Sequence, residues 1–115
     1  MKFMMLMFMD FPAWNRLSKA EQDAAVGNLM QFSEELRAAG KLVLTQGLAP
    51  STEAVSIRKG NNGSRIVTDG PFTETKEAAG GYYVIECASR EEAVEWGKKL
   101  PLATWGVEIR RISFE

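Results

Sequence analysis

Phe3-Met4-Met5-Leu6-Met7-Phe8-Met9 is an uninterrupted run of seven apolar residues, bounded by Lys2 and Asp10. A run of this length reads as a β-strand buried on both faces. Side chains alternate along a strand, so Phe3, Met5, Met7 and Met9 share one face, and Met4, Leu6 and Phe8 share the other. Neither face offers a polar row to water. Tyr82-Tyr83-Val84-Ile85 repeats the pattern, with Tyr82 and Val84 opposing Tyr83 and Ile85. The sequence thus calls for a sheet that is covered on both sides at its centre.

The elements around this strand set what can cover it. Ser18 and Glu21 form a Ser-x-x-Glu pattern, in which each side chain satisfies a backbone N–H at a helix start. Ala25, Leu29, Phe32, Leu36 and Ala39 follow at helical spacing, and Gly40 is placed to close the helix in a left-handed conformation. Residues 41–47 read as a second strand. Residues 54–59 and 65–68 read as two short strands, joined by Gly60-Asn61-Asn62-Gly63-Ser64, which supplies the positive φ angles of a hairpin turn. A strong strand over 81–87 comes next. Ser89 and Glu92 then repeat the capping pattern, and Ala93, Trp96 and Leu100 form the stripe of a second helix that Pro101 ends. Residues 105–114 complete the set as a last strand.

Two βα halves around an inserted hairpin form the α+β, ferredoxin-like pattern: an antiparallel sheet with two helices on one face. Two helices cover one face only. The economical cover for the other is a second copy of the sheet, giving a homodimer with a barrel-like interior.

The 115 residues fit a single domain over 1–115, with 45% hydrophobic and 25% charged residues. Fourteen basic against fifteen acidic residues leave a net charge of −1, which gives no basic excess to attract nucleic acid. The apolar start is too short to span a bilayer, and Asp10-Phe11-Pro12 follows it in place of a small-residue cleavage site. The reading is a cytoplasmic protein without a membrane segment. The lone Cys87 lies in an apolar run and reads as a buried, inert thiol.

Histidine is absent. That removes Ser-His and Cys-His catalysis and any histidine-containing zinc or haem site. No Gly-rich phosphate loop is present, and no cofactor or metal is called for. Carboxylates, tyrosines and lysines remain for proton transfer. The densest group of them is Thr68-Asp69-Gly70-Pro71-Phe72-Thr73-Glu74-Thr75-Lys76-Glu77, a turn sequence crowded with charge. Asp69 is the catalytic candidate, as a general base at a strand end. Its plainer role is to accept backbone N–H groups within its own turn. Gly70, Pro71, Phe72, Glu74 and Lys76 are candidate ligand contacts around it. Glu108 and Arg110 share a face of the last strand, where Arg110 is a candidate carboxylate clamp or one half of a surface pair. Trp14, Trp96 and Trp105 are candidates to line an apolar cavity, with core packing as the plainer role.

Asp69 to Glu77 resembles the signature of the DGPF-domain proteins, within the YCII-related family. Residues 1–8, 32–40, 47–50, 80–85, 92–96 and 106–110 resemble that family's other segments, so the similarity spans nearly the whole chain. The resemblance implies a dimeric ferredoxin-like α+β barrel of bacterial type. Some YCII-related relatives are thought to use a His–Asp pair for lyase-like or dehydrohalogenase-like chemistry, and this sequence has no histidine for it. DGPF proteins also resemble partners found alongside alternative sigma factors, which implies a regulatory role for some members. Three functions follow as expectations. The first is a small-metabolite binder with its cleft beside the 69–77 loop. The second is a lyase or isomerase using Asp69, with Lys76 or Arg110 holding the substrate. The third is a structural loop without a ligand.

Overall fold

The computed structural model describes residues 1–73 and 77–114. The long apolar run is a strand, β1 (Lys2–Asp10), and its burial alternates as its parity requires: Phe3, Met5, Met7 and Met9 are buried, while Met4, Leu6 and Phe8 are half-buried. Around it stand β2 (Leu42–Gly47), β5 (Glu77–Glu86) and β6 (Trp105–Arg111), in the order β2-β5-β1-β6 with every neighbouring pair antiparallel. That is the ferredoxin-like arrangement, and the fold is α+β.

Among the described residues three α-helices are present rather than the two expected. The extra one, α1 (Phe11–Arg16), begins at Asp10, whose carboxylate accepts the Ala13 N–H at 2.9 Å, with a proline in its first turn. At six residues it is too short to show a periodic stripe. The long helix α2 (Lys19–Ala38) opens on the reciprocal capping box: Ser18 Oγ accepts from Glu21 N–H at 3.1 Å, and Glu21 accepts from Ser18 N–H at 2.9 Å. Gly40, at φ 71°, follows its C-cap. Helix α3 (Arg90–Lys99) is capped by Ser89 alone, because the Glu92 carboxylate accepts from Ala88 N–H and pairs with Lys41 at 2.8 Å.

Helices α2 and α3 lie on the odd-numbered face of β1. Phe32, Leu36 and Ala93 pack there with Phe3, Met5, Met7, Tyr83, Ile85, Cys87 and Leu100 to form the core. Tyr83 brings a hydroxyl into this layer, and Ser33 Oγ meets it at 2.8 Å, so the buried polar group is satisfied. Cys87 is buried as expected, and burial pushes its thiol up from the ordinary value.

The opposite face carries Met4, Leu6, Phe8, Tyr82 and Leu44, with Glu108 beside Leu6 and Arg110 beside Met4 along the β6 edge. Among the described residues no helix lies over it. The remaining strands, β3 (Val55–Lys59) and β4 (Arg65–Asp69), form a separate two-stranded sheet. Their joint contains Asn62 at φ 57° and Gly63 at φ 76°, the left-handed pair that the turn sequence predicts. The last strand stops at Arg111, three residues short of expectation. No helix among the described residues is long and apolar enough to cross a membrane.

Candidate functional site

One end of the four-stranded sheet is irregular, and its hollows follow from that irregularity. Met7 pairs with Gly81 and Phe8 with Ala79, so Gly80 is an extra residue in β5, a bulge. A Cβ at Gly80 would lie 2.7 Å from Trp105 Cζ3 and 3.3 Å from Met9 Cβ. The bulge is therefore where the Trp105 ring comes down on the backbone. Trp14, delivered by α1, meets Trp105 with ring centroids 6.3 Å apart at 60°. A recess of about 320 Å³ opens here, walled by Trp14, Trp105, Met9, Phe11, Val26 and Leu48.

A second hollow, of about 390 Å³, adjoins it through Leu48 and Pro50, which line both. Its other walls include Ala54, Pro71, Ala78 and Ala79, with Ser51 and Glu53 as the polar residues. Together the two make an apolar groove, running from the tryptophan pair around the sheet end to the root of the β3–β4 hairpin. Volume and lining are those of a small-molecule site.

Backbone bonds hold the Asp-Gly-Pro-Phe turn against that hairpin. Gly70 adopts φ 108°, a conformation open to glycine, and donates to the Ala54 carbonyl at 2.7 Å. The buried Ser56 hydroxyl donates to the Gly70 carbonyl at 2.7 Å. The Arg58 guanidinium donates to the Phe72 carbonyl and lies 4.0 Å from the centroid of its ring. These bonds place Pro71 in the groove wall.

The other candidates from the sequence separate. Asp69 ends β4 opposite Val55, exposed, and its carboxylate has no hydrogen bond to another described residue. Among the described residues the bonds that hold the turn come from Gly70 N–H, Ser56 and Arg58. Phe72 is exposed, with Arg58 over its ring. Glu74 and Lys76 lie outside the described residues. Arg110 stands on the open sheet face opposite Met4 and lines a different recess, of about 270 Å³. The structure thus does not bring Arg110 to Pro71. Of the three tryptophans, Trp14 and Trp105 share the groove. Trp96 packs on Phe32, with Lys99 over its ring.

Among the groove residues that the reading from sequence did not single out as a site are Glu53 and the Leu48-Ala49-Pro50 segment. Their signal was faint: apolar residues continuing past the end of β2 into a loop. Among the described residues no group of three or more histidine, cysteine, aspartate or glutamate side chains could hold a metal ion. The carboxylates with displaced pKa values are elsewhere. Hydrogen bonds from Lys41 and from Ala88 N–H hold Glu92 below its ordinary value, and Ser18 does the same for Glu21.

The YCII-related domain family matches residues 1–114. An uncharacterized protein of Rhizobium meliloti (strain 1021) is 34% identical over 116 residues, covering 98% of this chain and 93% of that protein.

Proposed function

This chain belongs to the YCII-related family, and on that premise we propose that it is a homodimeric binder of a small, largely apolar or aromatic metabolite. The ligand occupies the groove beside the 69–77 loop and serves sensing or regulation. The observation that carries this is the junction of two hollows through Leu48 and Pro50, one floored by the Trp14–Trp105 pair and the other bordered by Pro71 and Glu53. Apolar walls supply the driving force, and the few polar groups at one end supply orientation. Gly70 and Phe72 shape the rim through their bonds to Ala54, Ser56 and Arg58, and Glu74 and Lys76 follow it in the chain.

Binding is favoured over proton-transfer catalysis by the chemistry of the described residues. The chain lacks histidine, Asp69 is exposed at the end of β4, and Arg110 is on another face. The carboxylate at the groove wall is Glu53. The open sheet face supports the homodimer reading: Met4, Leu6, Phe8, Tyr82 and Leu44 form an apolar surface suited to burial against a second copy.

The test is a thermal-shift screen of the wild type and Ala49→Trp against a panel of small aromatic and apolar metabolites. Ala49 is exposed and lines the groove, so a bulky residue there fills it without touching the core. The expected result is a ligand that raises the wild-type Tm and leaves the variant unmoved. An equal shift in both proteins contradicts the site, and no shift across the panel contradicts the function.

A further inference from the structure

Among the described residues, strands β3 and β4 pair with one another and with no other strand. A lone two-stranded hairpin is marginal in water, and three strands or a packing partner are needed for stability. The register puts three pairs on its outward face: Val55 with Asp69, Ile57 with Val67, and Lys59 with Arg65. Ile57 is 58% and Val67 64% exposed, although they are the apolar centre of that face. Lys59 and Arg65 set two cations directly opposite each other at the tip, which opposes pairing unless an acidic surface lies near. Among the described residues only the inner face is engaged, where Ser56 is buried and Arg58 holds the Phe72 turn.

The whole molecule shows the same incompleteness. Its radius of gyration is 16.1 Å, against about 13 Å for a compact chain of this length. It exposes 7666 Å², whereas a compact monomer of its mass exposes about 6,300 Å². The excess, about 1,400 Å², is on the scale that one subunit buries in a permanent homodimer.

We propose that the β3–β4 hairpin is an arm exchanged between two copies of this chain, its Val55–Ile57–Val67 face packing on the partner subunit. This rests on the dimer argued above from the open sheet face and adds a second, separate contact to it. A second copy offers what the arm lacks. At the β6 edge, beside the Leu6 and Phe8 surface that the other sheet covers, it has the exposed Glu108 as an acid to meet the Lys59–Arg65 tip. Two-fold symmetry makes the contact twice. Ala54 and Pro71 stand at the root of the arm and wall the groove, so seating the arm also fixes one side of the ligand site.

Sedimentation equilibrium of the wild type, Ile57→Lys and Leu6→Lys separates the two contacts. The expected result is a wild-type dimer whose dissociation constant rises about tenfold or more in either variant, with the far-UV spectrum of the sheet and helices retained. Dissociation in Leu6→Lys with an unchanged Ile57→Lys dimer overturns the arm exchange and leaves the dimer standing. A wild type that stays monomeric at about 100 µM overturns both. A second measurement avoids any charge in the arm. In Val67→Cys, iodoacetamide labelling of the new thiol should slow several-fold between about 1 µM and about 200 µM protein as the dimer fills. Equal rates at the two concentrations overturn the exchange.

Discussion

In the four-stranded sheet, alternate residues of β1 disappear beneath α2 and α3, and Met5 and Ile85 are fully buried. In the β3–β4 arm, Ile57 and Val67 face each other in perfect register, yet both remain more than half exposed. Both regions alternate apolar residues along antiparallel strands, though β1 is richer in them than β3 or β4. The difference is the second layer: helices cover the first region, and nothing else in the described chain covers the second. Strand pattern and turn chemistry make a hairpin, but burial is what makes it stable.

This contrast can be broken by mutation, and the largest effect belongs to the sheet. Ile85→Ala should lower the unfolding free energy by about 2–5 kcal/mol, because a fully buried side chain leaves a cavity beneath two helices. Ile57→Ala in the dilute monomer should change it by no more than about 0.5 kcal/mol. Urea denaturation measures both, and comparable losses would erase the distinction between the regions.

Next in size is Gly80→Ala, which sits where the sheet body meets the groove. The new Cβ would collide with Trp105 and Met9, so the ring must shift, at a cost of about 1–3 kcal/mol. The tryptophan emission should move with it. An unchanged spectrum and stability would mean that the Trp14–Trp105 contact does not depend on the bulge.

Within the arm, Ser56→Ala removes the hydroxyl that meets the Gly70 carbonyl, worth about 1 kcal/mol. The loss should be local, seen as faster amide exchange in β3 and β4 with little change in the sheet. Faster exchange throughout the molecule would show that arm and body unfold together.

The smallest effect concerns the ion pair on the body, Lys41 with Glu92. Its hydrogen bonds hold the Glu92 carboxyl below the ordinary value and the Lys41 ammonium above it. For Glu92 the folded state binds its proton less readily than the unfolded state. The contribution to stability is therefore present at neutral pH and lost as pH falls through the carboxylate range. Glu92→Gln should accordingly lower Tm slightly at pH 7 and not at all near pH 3. Both partners are partly exposed, and salt should shrink the difference.

The sequence was legible where one element's own residues decide the outcome. The Ser18–Glu21 box, the Gly40 stop and the Asn62–Gly63 turn are local chemistry, and all three stand where they were expected. The face parity of β1 was legible for the same reason. Helix α1 was not: its signal is a capping Asp10 and an early proline over six residues, too few for a stripe. The site was harder still. Trp14 and Trp105 meet across almost the whole chain, and their contact depends on a bulge at Gly80 that two adjacent glycines do not announce. Glu53 reaches the groove wall only because Leu48 to Ala54 turns back along the sheet end. Glu108 and Arg110 were rightly placed on one face, but sequence parity does not say which face borders the groove.

Amide hydrogen exchange followed against protein concentration tests the contrast between body and arm most directly. Amides of β1 and β5 should be protected equally at every concentration. Those of β3 and β4 should exchange rapidly in the dilute protein and gain protection as the dimer forms. Arm amides as well protected as those of β1 in the dilute monomer would contradict the account.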